Sequence, residues 1–200
     1  MKHNKDLVEI AKFLDRLNAD FEALRDNQEQ IIRAYNSLGT LWQDKVYSIT
    51  GQVLSETAAT TKEAYCAFCE VAVKLQKKHE ILCEYQEIDE ARHYGEMDFP
   101  GNFVWETVMN NGKVWVSAAD MEAFERALAD YLSILDEQVK SIVREYEAVG
   151  DSWMDEQYTR LGEDMAEFTK KTAAQSEALG QLAVLLAKKR KLLEETEDRL

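Results

Sequence analysis

Cys66-X-X-Cys69 followed by His79-X-X-X-Cys83 supplies four ligands, the count of a zinc site. On one continuous helix, however, residues 69 and 79 stand ~15 Å apart along the axis, too far to converge on one ion. His3, His79 and His93 do not cluster at helical spacing. A di-metal helical bundle uses Glu-X-X-His elements, and His79 has Gln76 three places before it. Acidic pairs such as Glu194 and Asp198 recur, but 38 acidic residues guarantee such coincidences. There is no glycine-rich phosphate loop and no nucleophile elbow. No catalytic residue, metal or cofactor is expected, and the chain reads as non-enzymatic.

The elements that carry these residues are legible from composition. The chain has 200 residues, with one proline and eight glycines, too few for a turn-rich β sandwich or a disordered linker. Long helices tolerate almost no internal proline, so the composition points to an all-α fold. The formal charge is -14, from 24 basic and 38 acidic residues. The run Lys188-Lys189-Arg190-Lys191 is followed by Glu194, Glu195, Glu197 and Asp198, and reads as a solvated helix face. Nucleic acid is therefore not an expected partner, whereas overall acidity favours a basic protein partner. No apolar stretch approaches the ~20 residues that span a bilayer. The N-terminal residues lead into a mixed polar segment without a signal-peptide core. The cytoplasm and a signal-less export route both remain as expected locations. Three cysteines make a disulfide framework unexpected.

Shifting the chain by 111 residues superimposes it on itself. Phe13, Leu17, Leu24 and Ile31 meet Phe124, Leu128, Leu135 and Ile142. Tyr35, Gly39, Trp42, Asp44, Tyr47 and Gly51 meet Tyr146, Gly150, Trp153, Asp155, Tyr158 and Gly162. Each unit carries a heptad seam. The first runs through Phe13, Leu17, Phe21, Leu24, Ile31, Tyr35 and Leu38; the matching positions include Leu132, and Val139 fills the gap at Gln28. The second helix of each unit continues the seam, through Leu54, Thr61 and Phe68 in one and Met165, Thr172 and Leu179 in the other. The last helix is poorer, so Leu161, Phe168, Leu182 and Leu185 are expected to reinforce it. Cys69 and Cys83 fall beside seam positions and read as small buried hydrophobes; their duplicates are Gly180 and Glu194.

Gly39 and Gly150 are expected to end the first helix of each unit in a left-handed conformation. Asp44 and Asp155 are expected to cap the next helix. Trp42 and Trp153 read either as wedges closing the hairpin end or as contact points for a partner.

Residues 95–116 break the pattern. Phe99-Pro100-Gly101-Asn102 signals a turn, and Asn111-Gly112 lies between the β-prone runs 103–109 and 113–116. A small β-hairpin is expected there, with Trp105 and Trp115 covering the open end of the bundle or forming an aromatic surface. Ser117 and Asp120 read as a capping box. The organisation is then a helical hairpin over 1–94, a β-hairpin linker over 95–116 and a second helical hairpin over 117–200. The two hairpins pack as an elongated four-helix bundle. A folded linker spans little length, which predicts Trp42 and Trp153 at the same pole.

At the turns Trp42-Gln43-Asp44 and Trp153-Met154-Asp155 the chain resembles the WXG100, or ESAT-6-like, proteins of type VII secretion, helical hairpins with Trp-X-Gly in the turn. Tyr85-Gln86-Glu87-Ile88-Asp89 matches the family's Tyr-X-X-X-Asp/Glu export signal, for which Tyr85 and Asp89 are the candidates. Aspartate replaces glycine in both turns, and the second unit has Thr196 where Tyr85 would recur. The resemblance implies an antiparallel pairing of two hairpins, here fused in one chain. It further implies an exported substrate or partner of a type VII-like system, with secretion machinery or a basic helical protein as partner. A cytoplasmic adaptor, chaperone or toxin-neutralising bundle, and a self-associating scaffold, are the alternatives; either monomer or homodimer is compatible.

Overall fold

A computed structural model describes residues 2–42, 44–84, 116–150, 153 and 155–199, with side chains from Glu9 onward apart from those of 76 and 78–84. Four helices carry the fold: α1 (Lys2–Gly39), α2 (Lys45–Glu84), α3 (Ala118–Val149) and α4 (Glu156–Glu197). The heptad seams explain them. Phe13, Leu17, Phe21, Leu24, Ile31, Tyr35 and Leu38 of α1 are buried, as are Leu54, Thr61 and Phe68 of α2, and all four helices contribute to one core. Two seam assignments are corrected. Tyr131 takes the interior position on α3 and leaves Leu132 half-buried. Leu185 stays 43% exposed while Leu161, Phe168 and Leu182 go inside. One residue is ~100° of helix rotation, so with Leu186 and Leu182 facing the core, Leu185 turns outward.

The caps form as the side chains dictate. Asp44 Oδ1 accepts from the Val46 and Tyr47 amides at 2.7 and 3.0 Å. Asp155 Oδ1 accepts from those of Gln157 and Tyr158 at 2.9 and 3.1 Å. Ser117 and Asp120 make a reciprocal capping box on α3. Val116 and Met121 flank it at the positions of a hydrophobic staple, both buried.

This corrects the expected β-hairpin: among the described residues there is no strand, and the fold is an all-α four-helix bundle. Of the segment assigned to that hairpin, 95–115 lies outside the described residues; Val116 anchors a helix start instead of a ladder.

The hairpins pair antiparallel. On α1 and α3, Phe13 lies 6.2 Å from the Trp153 ring, Asn27 Nδ2 donates to the Tyr131 carbonyl at 2.9 Å, and Tyr35 lies 6.2 Å from Phe124. On α2 and α4, Lys189 pairs with Asp44, Gln175 Nε2 donates to Thr60 Oγ1 at 3.0 Å, and Arg160 meets Glu70 at 3.3 Å. Trp42 and Trp153 therefore sit at opposite poles, against the same-pole expectation. That expectation allowed the connection 22 residues. From Glu84 to Ala118 an extended chain reaches about 110 Å, against roughly 60 Å for a forty-residue helix.

The glycines at the turns are corrected as well. Gly150 is right-handed, at φ -55° and ψ -36°. What these positions need is room. A Cβ on Gly39 would lie 2.0 Å from the Tyr47 hydroxyl, one on Gly150 2.6 Å from that of Tyr158, and one on Gly162 2.1 Å from that of Tyr146. Those rings stack in pairs, Tyr35 on Tyr47 at 4.1 Å and Tyr146 on Tyr158 at 4.4 Å. Gly39→Ala should cost about 1–3 kcal/mol by overpacking, and Tyr47→Phe should restore part of it. Chemical denaturation of both variants and the double variant measures this; additive losses would show that ring and glycine are not coupled.

Candidate functional site

Each pole is built from the same parts. At the first, Tyr35 Oη donates to the Tyr47 carbonyl at 3.0 Å, and the Trp42 ring meets Tyr47 edge-on at 6.2 Å. At the second, Tyr146 Oη donates to the Tyr158 carbonyl at 3.0 Å, and Trp153 meets Tyr158 edge-on at 5.5 Å. Trp42 is 5% exposed and Trp153 4%, so the indoles close the bundle ends and offer a partner only their rims. Burial raises the pKa of Tyr35, Tyr47 and Tyr146, so these phenols stay neutral.

The poles differ in how the aspartate is used. Trp153 Nε1 donates to Asp155 Oδ1 at 2.8 Å. At the other pole Lys189 reaches across from α4, pairs with Asp44 Oδ2, and lies 5.1 Å from the Trp42 ring centroid. Close by, Arg190 pairs with Glu125 at 3.1 Å and also with Glu194, and Glu197 accepts from the Ala118 amide at 3.1 Å. The last turns of α4 are thereby fastened to both the α1–α2 turn and the start of α3.

The structure brings Trp42 together with Asp44, and Trp153 with Asp155, but sets the two pairs at opposite ends. Tyr85, Asp89, Trp105 and Trp115 lie outside the described residues. Cys66 is exposed, and Cys69 is half-buried and packed against the core. Among the described residues, no three His, Cys, Asp or Glu side chains group as metal ligands, and no helix is long and apolar enough to cross a membrane. No protein-family model, curated protein or solved structure matches the chain.

Sequence reasoning missed the polar groups inside the bundle. Gln28 and Tyr131 are buried, and the Tyr131 phenol faces Gln28 and Thr57, with burial pushing its pKa upward. The gap at Gln28 in the seam was the available signal. Asp20 is a second such group. It is half-buried on α1 against α3, near Ser141, Glu145, Arg144 and Arg16. Burial raises its pKa, as does Glu145, while the Ser141 hydrogen bond and the two arginines lower it.

A carboxyl whose pKa is raised on folding stabilises the fold most when protonated, and that contribution is lost as pH rises through the raised value. Asp20→Asn should therefore melt above the parent at about pH 7, with the gap closing toward about pH 4. Thermal unfolding followed by circular dichroism at both values reads this. A variant melting lower at neutral pH would mean that the ionised carboxylate is needed by its neighbours.

Proposed function

We propose that the chain is a non-enzymatic WXG100-like protein that serves as an exported substrate or partner protein of a type VII-like secretion system. The observation that carries this reading is the antiparallel pairing of two helical hairpins, with a Trp-X-Asp turn at each pole. That is the arrangement which the resemblance implies for two paired hairpins, here in one chain. Joining them removes the translational cost of pairing and holds the two at high effective concentration. The departure from Trp-X-Gly has a physical basis in this chain. Asp44 and Asp155 each accept two backbone amides that would otherwise be unpaired at the start of α2 and α4.

A protein-binding adaptor is the second reading, favoured by exposed apolar side chains gathered near one pole. The two readings separate on export. In the source organism, Tyr85→Ala with Asp89→Ala should cut extracellular protein several-fold while the cell-associated protein keeps its helical spectrum. Unchanged extracellular protein would count against the signal and leave the adaptor reading in front.

A further inference from the structure

Leu185 was expected inside and is not, and it is not alone. Among the described residues the exposed large hydrophobic side chains are Ile49, Val73, Val184, Leu185 and Leu192, from 39% to 63% exposed. All but Val73 fall near the Trp42 pole. The contacts Lys189–Asp44 and Gln175–Thr60 set the antiparallel register of α4 on α2. That register puts Ile49 level with residues 184–186 and Leu192 level with the Trp42 turn. Ile49, Leu185 and Leu192 thus follow one another along the α2–α4 groove, and Val184 adds to its outer edge. Clustered exposed apolar surface of this kind marks an interaction site more often than scattered single residues do.

The charge around the groove identifies the occupant. Lys45, Lys188 and Lys191 are exposed here, and among the described residues no ion pair engages them. The acids of this end are largely taken: Asp44 by Lys189, Glu125 and Glu194 by Arg190, Glu197 by the Ala118 amide. Glu195 and Asp198 remain toward the tip of α4. In a chain of net charge -14, the segments that form the groove, 44–49 and 184–192, hold Lys45, Lys188, Lys189, Arg190 and Lys191 against Asp44 alone, so the apolar stripe lies in a locally basic setting. A second copy placed face to face would oppose these lysines to their own kind. Two adjacent helices form a groove that accepts the apolar stripe of a third.

We infer that the α2–α4 groove at the Trp42 pole, formed by Ile49, Leu185 and Leu192 and rimmed by Lys45, Lys188 and Lys191, docks an acidic amphipathic helix of a partner protein. This goes beyond the export reading and does not depend on it. The basic partner favoured by overall charge would bind elsewhere on the surface.

The probe is a fluorescein-labelled synthetic helix of roughly twenty residues, with leucines on one stripe and glutamates on the rest. Fluorescence anisotropy with the full chain should show saturable binding, absent for a leucine–lysine helix of the same pattern. Leu185→Glu with Leu192→Glu should weaken it about tenfold or more, as should Lys45→Glu with Lys188→Glu. Val73→Glu, far along α2, should leave it unchanged. Because these side chains are exposed, each variant should keep the parental melting curve. The inference is overturned if the acidic helix fails to bind, or if binding survives the paired leucine substitutions. It is equally overturned if phosphatidylglycerol vesicles or the lysine helix bind better, or if light scattering shows that a second copy occupies the groove.

Discussion

Each hairpin turns around two tyrosine rings stacked face to face, and those rings fit only because glycine stands where their hydroxyls arrive. Tyr47 over Gly39 and Tyr158 over Gly150 bring the end of one helix against the start of the next. Once that approach is fixed, the connection is so short that an aspartate must supply acceptors for the new helix, and a tryptophan fills the remaining corner. The partner ring in each stack donates its hydroxyl to a backbone carbonyl across the turn. Stacking, hydrogen bonding and close approach are thus one interaction repeated at both poles, and the 111-residue repeat preserves all of its parts.

Much of this was legible from residue types alone. The heptad seams of α1 and α2, the Asp44 and Asp155 caps and the Ser117–Asp120 box follow local rules that need only neighbouring residues. The turn glycines were noticed for the wrong reason, because backbone freedom is a local property whereas room for a ring depends on a residue eight places away. The pole assignment failed on another non-local quantity, the reach of the chain between α2 and α3. Leu132 and Tyr131 differ by one helical step, and a seam alone could not say which one the neighbouring helices would bury. The four expected residues in 85–115 lie outside the described part of the chain, so Tyr85, Asp89, Trp105 and Trp115 stand as expectations.

The interior is not uniformly apolar, and this bears on how the two hairpins recognise each other. Val139 is the counterpart of Gln28, and Asp20 the counterpart of Tyr131. In the bundle the Tyr131 phenol faces Gln28 and Thr57, while Asp20 faces Ser141 on α3. The repeat is therefore broken at the positions where one hairpin meets the other. Beside them the buried Asn27 amide on α1 donates to the Tyr131 carbonyl on α3, and a slipped register would leave that amide without its partner. The same asymmetry appears at the poles, where Lys189 covers Trp42 while Trp153 bonds its own aspartate.

The antiparallel placement of the two tryptophan turns underlies both the fold and its functional reading. It is tested most directly by the distance between spin labels at Thr40 and Thr159, two exposed positions next to the turns, in a background lacking Cys66, Cys69 and Cys83. Pulsed electron–electron resonance should give a separation of about 45–50 Å, the rise of the helix between the two levels. A distance below about 25 Å would place the turns at one pole and contradict the antiparallel bundle.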